Sequence, residues 1–252
     1  MKGIISATVT LILALGQPGM ANAAEIHIWT ARAIATVLEE IGPQFERASG
    51  HRLNVYSGLG VDFEKRLKAG DPLDVLISSA VDQWVKEGKL IAATRTDIAR
   101  SGIGVEVRAG ARKPDISSVE AFKRALLDAK SIAYLRVGSG IYVHGLLQRL
   151  GIAEAIMPKV TRPESDIVSE LVAKGEVDLG MVVMTQILTT PGVELVGPLP
   201  AEIQSYVAFA AGISVNSKAP DAAKQLITFL TGPIATPVIT AQGMEPGGGI
   251  SK

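Results

Sequence analysis

Apolar and polar residues along the chain switch repeatedly between a two-residue and a three-to-four-residue period. Glu25-Ile-His-Ile-Trp29 alternates, as a half-covered strand does. Ile34, Val37, Leu38, Ile41 and Phe45 then recur at helical spacing, and Gly50 supplies a stop. Arg52 to Gly58 predicts a second strand, running into the turn Ser57-Gly-Leu-Gly60, and Phe63 and Leu67 mark a helix after it. Asp74 to Ser78 is almost continuously apolar, the pattern of a parallel strand buried on both faces. Further on, the pattern predicts strands at Ser131–Leu135 and Asp178–Met184. It predicts helices after Ser139, over Ser165–Lys174 and from Pro220, the last with Pro at the first helical position.

Strand–helix alternation at this short spacing predicts an α/β fold with mostly parallel sheets. Gly102–Gly110 and Gln204–Val215 are longer, extended and apolar, and suit two crossovers between lobes. That division assigns residues 24–103 and 209–252 to one lobe and 104–208 to the other. The expected architecture is two lobes, each a mostly parallel sheet flanked by helices, joined by two crossover strands.

The first residues change the compartment. Lys2, an apolar run from Ile4 to Leu15, and the small-x-small triplet Ala21-Asn-Ala23 have the layout of a secretory signal at residues 1–23. The run is too short for a membrane span, which takes about 20 apolar residues. The mature chain is expected to begin at Ala24 and to be soluble in the periplasm. The 252 residues contain no Cys, so packing and not disulfides must hold an exported chain together.

Charge excludes other classes. Lys+Arg and Asp+Glu number 25 each, leaving no basic excess for nucleic acid. His27, His51 and His144 are far apart and lack ligand spacing, so no metal or other cofactor is expected. No nucleophile, zinc or phosphate-loop signature is present, which argues for binding and against an enzyme.

The chain does carry several strand-to-helix turns of small and hydroxyl residues: Thr30–Ala33, Ser57–Gly60, Ser78–Ala80, Arg136–Gly140 and Glu164–Asp166. In an open parallel sheet such turns gather at the carboxyl ends of the strands, where ligands bind. Free N–H groups at helix starts favour anions. Arg32 and Arg136 add guanidinium charges suited to a carboxylate. The candidate ligand-binding residues are therefore Thr30, Ala31, Arg32, Gly58, Leu59, Gly60, Ser78, Ser79, Arg136, Ser139 and Ser165. Ordinary helix capping is the competing explanation for each turn alone.

Four segments together carry a family resemblance: VLEEIGPQFERASGHRLNVYSG, FEKRLKAGDPLDVLIS, SGIYVHGLLQRLG and KQLITFLTGPIATPVITAQGMEP. The chain resembles the periplasmic solute-binding proteins of ABC importers, in particular the molybdate-binding type. The resemblance implies the type II binding-protein form, a two-lobe clamp that closes on a small anion and delivers it to an inner-membrane permease; a monomer is expected. It also implies ligand positions. The family's first serine falls at Ala33, beside Arg32, and its second falls in Gly58-Leu-Gly60. Backbone donors fall at Ser139 and near Ser165, and the family's tyrosine falls at Val183. Three hydroxyls are thus replaced, and each unmade buried hydrogen bond costs about 1–3 kcal/mol. The expected ligand is a small organic carboxylate. Molybdate or tungstate is the alternative, and a sensor or an enzyme on the same scaffold is a second.

Overall fold

The computed structural model describes residues 23–247. The signal segment and its cleavage point lie almost wholly outside the described residues. Among the described residues no helix is long and apolar enough to cross a membrane.

The elements run β1 (Glu25–Thr30), α1 (Arg32–Ser49), β2 (Arg52–Ser57), α2 (Gly60–Ala69), β3 (Val75–Ser78), α3 (Val81–Lys86) and β4 (Thr96–Arg108). There follow α4 (Val119–Asp128), β5 (Ile132–Tyr134), α5 (Ser139–Arg149), α6 (Ala153–Ile156), β6 (Val160–Thr161), α7 (Val168–Ala173), β7 (Leu179–Val183), α8 (Met184–Thr189) and β8 (Val193–Pro198). The chain closes with β9 (Tyr206–Ile213), α9 (Pro220–Leu230), α10 (Ala235–Ala241) and β10 (Glu245–Pro246).

The helical spacing read from the sequence is the buried face of α1: Ile34, Val37, Leu38, Ile41 and Phe45 all enter the core. Gly50 ends this helix at φ 77°, a left-handed conformation that costs a glycine little, and its N–H returns to the Glu46 carbonyl. β3 is buried along its whole length, as its continuous apolar run requires. One expectation shortens: the helix expected over Ser165–Lys174 begins only at Val168. The Ile167 N–H turns back to the Ser165 carbonyl, so the preceding residues form a bend at the mouth of the helix.

The sheet is mixed, in the order β2-β1-β3-β9-β4-β7-β5-β6, with β8 and β10 also paired to β4. Two parallel triplets, β2-β1-β3 and β6-β5-β7, lie either side of the antiparallel pair β9-β4. β4 is shared: it pairs with β9 through Gly102 and with β7 from Ile103 onward. Hydrophobic packing divides the same way. Residues of β1, α1, β3, β9 and α9 form one core cluster, and those of the second part of β4, α4, β5, α5 and β7 form another. At the change-over, the Gln204 side chain accepts from the Ile103 N–H (3.1 Å) and donates to the Ile103 carbonyl (3.0 Å), completing the backbone pairing where the strand changes partners. This is the type II periplasmic-binding-protein architecture, an α/β fold whose mixed sheet and crossover strands set two groups of strand ends opposite each other.

Asp74 ties the last part of the chain to the first. Only 2% exposed, it accepts from the His27 N–H (2.9 Å), the Ser217 hydroxyl (2.6 Å) and the Lys218 and Ala219 N–H groups (2.8 and 3.2 Å). It thereby fixes the start of α9 against β1 and β3. Burial alone raises its carboxyl, but these donors outweigh it and hold the group below the usual carboxylate range.

Candidate functional site

A cavity of about 330 Å³ lies between the two groups of strand ends. The turn after β1 contributes Ala31, Arg32 and Ala33, the turn after β2 contributes Gly58 to Val61, and the turn after β3 contributes Ser78 to Ala80. From the other side come Leu135 and Val137–Ser139 at the mouth of α5, Asp166, and Val183 and Gln186 around the start of α8. Trp84, Val207 and Phe209 close the apolar wall.

Eight of the eleven candidate residues meet here: Ala31, Arg32, Gly58, Leu59, Gly60, Ser78, Ser79 and Ser139. Thr30 does not. It is fully buried one residue short of the opening, and its hydroxyl is turned to the Ala31 carbonyl. Arg136 does not line the cavity either. Its side chain is 58% exposed and faces Glu164, with Nε 3.5 Å from Oε1. Ser165 lies on the exposed outside of its bend, which presents the neighbouring Asp166 to the cavity.

Two long helices open on the cavity without a side-chain cap. α1 starts after Ala31 and α5 after Gly138, and neither carries an acidic residue in its first turn. Such ends favour negative charge. Gly138 sits at φ 57°, and a Cβ at Gly140 would stand 1.6 Å from the Leu135 carbonyl oxygen. Only glycine lets α5 begin so close to the end of β5. By contrast, α2 is already served by Asp62, whose carboxylate accepts from the Leu59 N–H (3.1 Å).

The electrostatics are richer than the turns foretold. Arg32 Nη1 donates to Glu170 Oε1 at 2.6 Å and to the Asp166 carbonyl at 3.3 Å. Asp166 and Glu106 stand in the same group. Glu106 is fully buried on β4, accepts from the Ser169 hydroxyl (3.0 Å), and has no partner for Oε2. Burial, with Glu170 and Asp166 nearby, pushes its carboxyl up to about 7. Burial also raises Asp166, against the pull of Arg32. Desolvation lowers Arg32, but the Glu170 bond together with the charges of Glu170, Asp166 and Glu39 outweighs it and holds the guanidinium above its ordinary value. Glu106, Glu170 and Gln186 carried no motif, and Asp166 was visible only as the end of a bend.

Residues 26–245 match the profile of the bacterial extracellular solute-binding proteins. The chain belongs to that family. It is a solute-binding protein of the periplasmic type and resembles the molybdate- and tungstate-binding components of ABC transporters. An aconitate isomerase of a Pseudomonas species is 30% identical over 229 residues, covering 88% of this chain and 87% of that one. The molybdate-binding protein ModA of Azotobacter vinelandii is 27% identical over 250 residues, covering 92% and 96%. The solved structure of the periplasmic molybdate-binding protein of that organism superposes with a TM-score of 0.73 at 21% identity, over 87% of this chain and 98% of that one.

Two expectations change. The relatives' names back molybdate or tungstate better than an organic carboxylate, with the isomerase on the other side. The exclusion of enzymes is overturned by that same isomerase. The physical reason is general. An isomerisation needs no nucleophile, no metal and no phosphate loop, so the absence of those motifs carries no information about it.

Proposed function

We propose that this solute-binding protein takes a small organic polycarboxylate of the aconitate class in its interlobe cavity and serves a membrane permease. The observation that carries the reading is the cavity's make-up. About 330 Å³, walled by Trp84, Phe209, Leu59, Leu135 and Val183, falls within the ~300–1,000 Å³ common for organic ligands. A single-centre oxyanion has no carbon skeleton to lay on such walls. Ala33 and Val183 also bring no hydroxyl, although a desolvated oxyanion needs donors all round. Arg32 lines the cavity with a guanidinium whose fixed charge and forked N–H groups suit a carboxylate. The uncapped starts of α1 and α5 supply further N–H groups for a second carboxylate.

Molybdate or tungstate is the second reading. It is favoured by the full-length similarity to molybdate-binding proteins and by the same two helix starts.

Thermal unfolding and calorimetry with cis- and trans-aconitate, citrate, molybdate and tungstate test both. A ligand at 100 times its Kd stabilises by about 2.7 kcal/mol, or roughly 5–10 °C for a chain of this size. A shift with a tricarboxylate and none with molybdate is the expected result. A shift with molybdate or tungstate alone refutes the organic-acid reading. Proton NMR of the cis/trans ratio during incubation with either aconitate isomer reports whether the cavity also interconverts them.

A further inference from the structure

The two sides of the cavity are joined by a charge pair, and the partner of Arg32 in that pair has the chemistry of the anion proposed above. We propose that Glu170 is an intramolecular competitor for that anion: its carboxylate engages Arg32 across the cleft, and a ligand carboxylate enters by exchanging with it. The competition rests on the anion-binding reading, whereas the bridge stands without it.

Three observations lead there. First, the bridge spans the fold. Arg32 heads α1 beside the first core cluster, and Glu170 lies on α7, which packs against β5 and β7, 138 residues away, at 2.6 Å. Among the described residues no other ion pair joins the two sides; Arg100–Glu245, Lys113–Glu194 and Arg136–Glu164 each stay within one.

Second, the guanidinium is outnumbered. Glu170, Asp166 and Glu39 all act on Arg32, and Glu106 faces Glu170 and Asp166 from β4. A free anion therefore meets no surplus of positive side-chain charge until one carboxylate gives way. Glu170 is the group whose departure releases Arg32, because Asp166 holds the guanidinium only through its backbone carbonyl.

Third, Glu170 is an imperfect partner. Its Oε2 is buried without a hydrogen bond, so half of its carboxylate is desolvated for no return. A ligand carboxylate facing Arg32 and the open start of α1 satisfies both of its oxygens. The two side chains are about one-third exposed, so water reaches the leaving Glu170 as it swings out.

The role is separable from that of a plain structural staple. A staple that helps the lobes close supports binding, so its removal weakens affinity. A competitor obstructs binding, so its removal strengthens affinity. The experiment is Glu170→Gln in the full mature chain, titrated by calorimetry with trans-aconitate and, separately, with molybdate, together with small-angle scattering of the protein without probe. Expected are an at least tenfold lower Kd for a probe that binds the wild type, loss of that gain in the Arg32→Ala/Glu170→Gln double variant, and a larger radius of gyration for Glu170→Gln alone. Glu170→Ala should act in the same direction, which guards against an effect peculiar to the amide. Equal or weaker binding by both single variants overturns the competition. If neither wild type nor variant binds either probe, the anion reading itself falls. Scattering then decides the bridge alone, and an unchanged radius of gyration overturns it.

Discussion

Glu106→Gln tests the buried charge beside the cavity. Glu106 lies on β4 with no exposed surface, one hydrogen bond from Ser169, and two further carboxylates nearby. Its carboxyl is pushed from 4.5 up to about 7. The folded protein therefore holds a proton there that the unfolded chain has already released above pH 4.5. Stability from this group is complete below that value and is lost as pH rises through about 7. At 1.36 kcal/mol per pH unit, the gap is worth about 3 kcal/mol. Glutamine matches the protonated acid in size and keeps an acceptor for Ser169, but it never ionises. The variant should match wild type near pH 4.5 and exceed it at pH 8 by about 3 kcal/mol. That is roughly 6–12 °C in Tm. Differential scanning calorimetry at several pH values between 4.5 and 8 measures both slopes. The reasoning fails if the two proteins lose stability in parallel across this range, or if the variant is the less stable at pH 8.

Other perturbations probe separate parts. Gly180→Ala would set a Cβ 2.4 Å from Glu106 Oε1, so it should displace that carboxylate and cost about 1–3 kcal/mol in thermal unfolding. Gly140→Ala would collide with the Leu135 carbonyl and should move the start of α5, giving a lowered Tm and loss of ligand-induced stabilisation. Asp74→Ala strips four donors of their shared acceptor and should cost about 3 kcal/mol at pH 7. Because the Asp74 carboxyl is held low, its contribution is present above the ordinary Asp value and lost as pH falls below it. The variant should therefore show a flatter acid limb of Tm against pH. Arg32→Ala should weaken binding of the anion about 100-fold in calorimetry, the loss of a charge-assisted pair.

How much was legible in the chain depends on the range of the interaction. α1, its Gly50 stop, the buried β3 and Pro220 at the head of α9 follow from contacts within a few residues, so periodicity and backbone chemistry suffice. The turns that line the cavity were legible for the same reason, since each is a local strand-to-helix junction. Thr30, Arg136 and Ser165 were placed with their turns, but which side of a turn faces inward is set by packing, and all three face away from the cavity. Glu106 is the clearest case. In GIGVEVR it is the lone acid within a stretch whose extended, apolar character predicts only a crossover strand. In the fold, β4 is covered on both faces, so Val105, Glu106 and Val107 are all buried. Glu106 itself meets Ser169 on α7, 63 residues away in the chain. Local sequence thus determined the strands, the helices and the supply of anion-favouring turns. Only the tertiary structure decided that Arg32 meets Glu170 across the cleft and that Glu106 and Asp166 stand beside that pair. Those encounters depend on where two halves of a sheet come to rest, which no neighbour along the chain encodes.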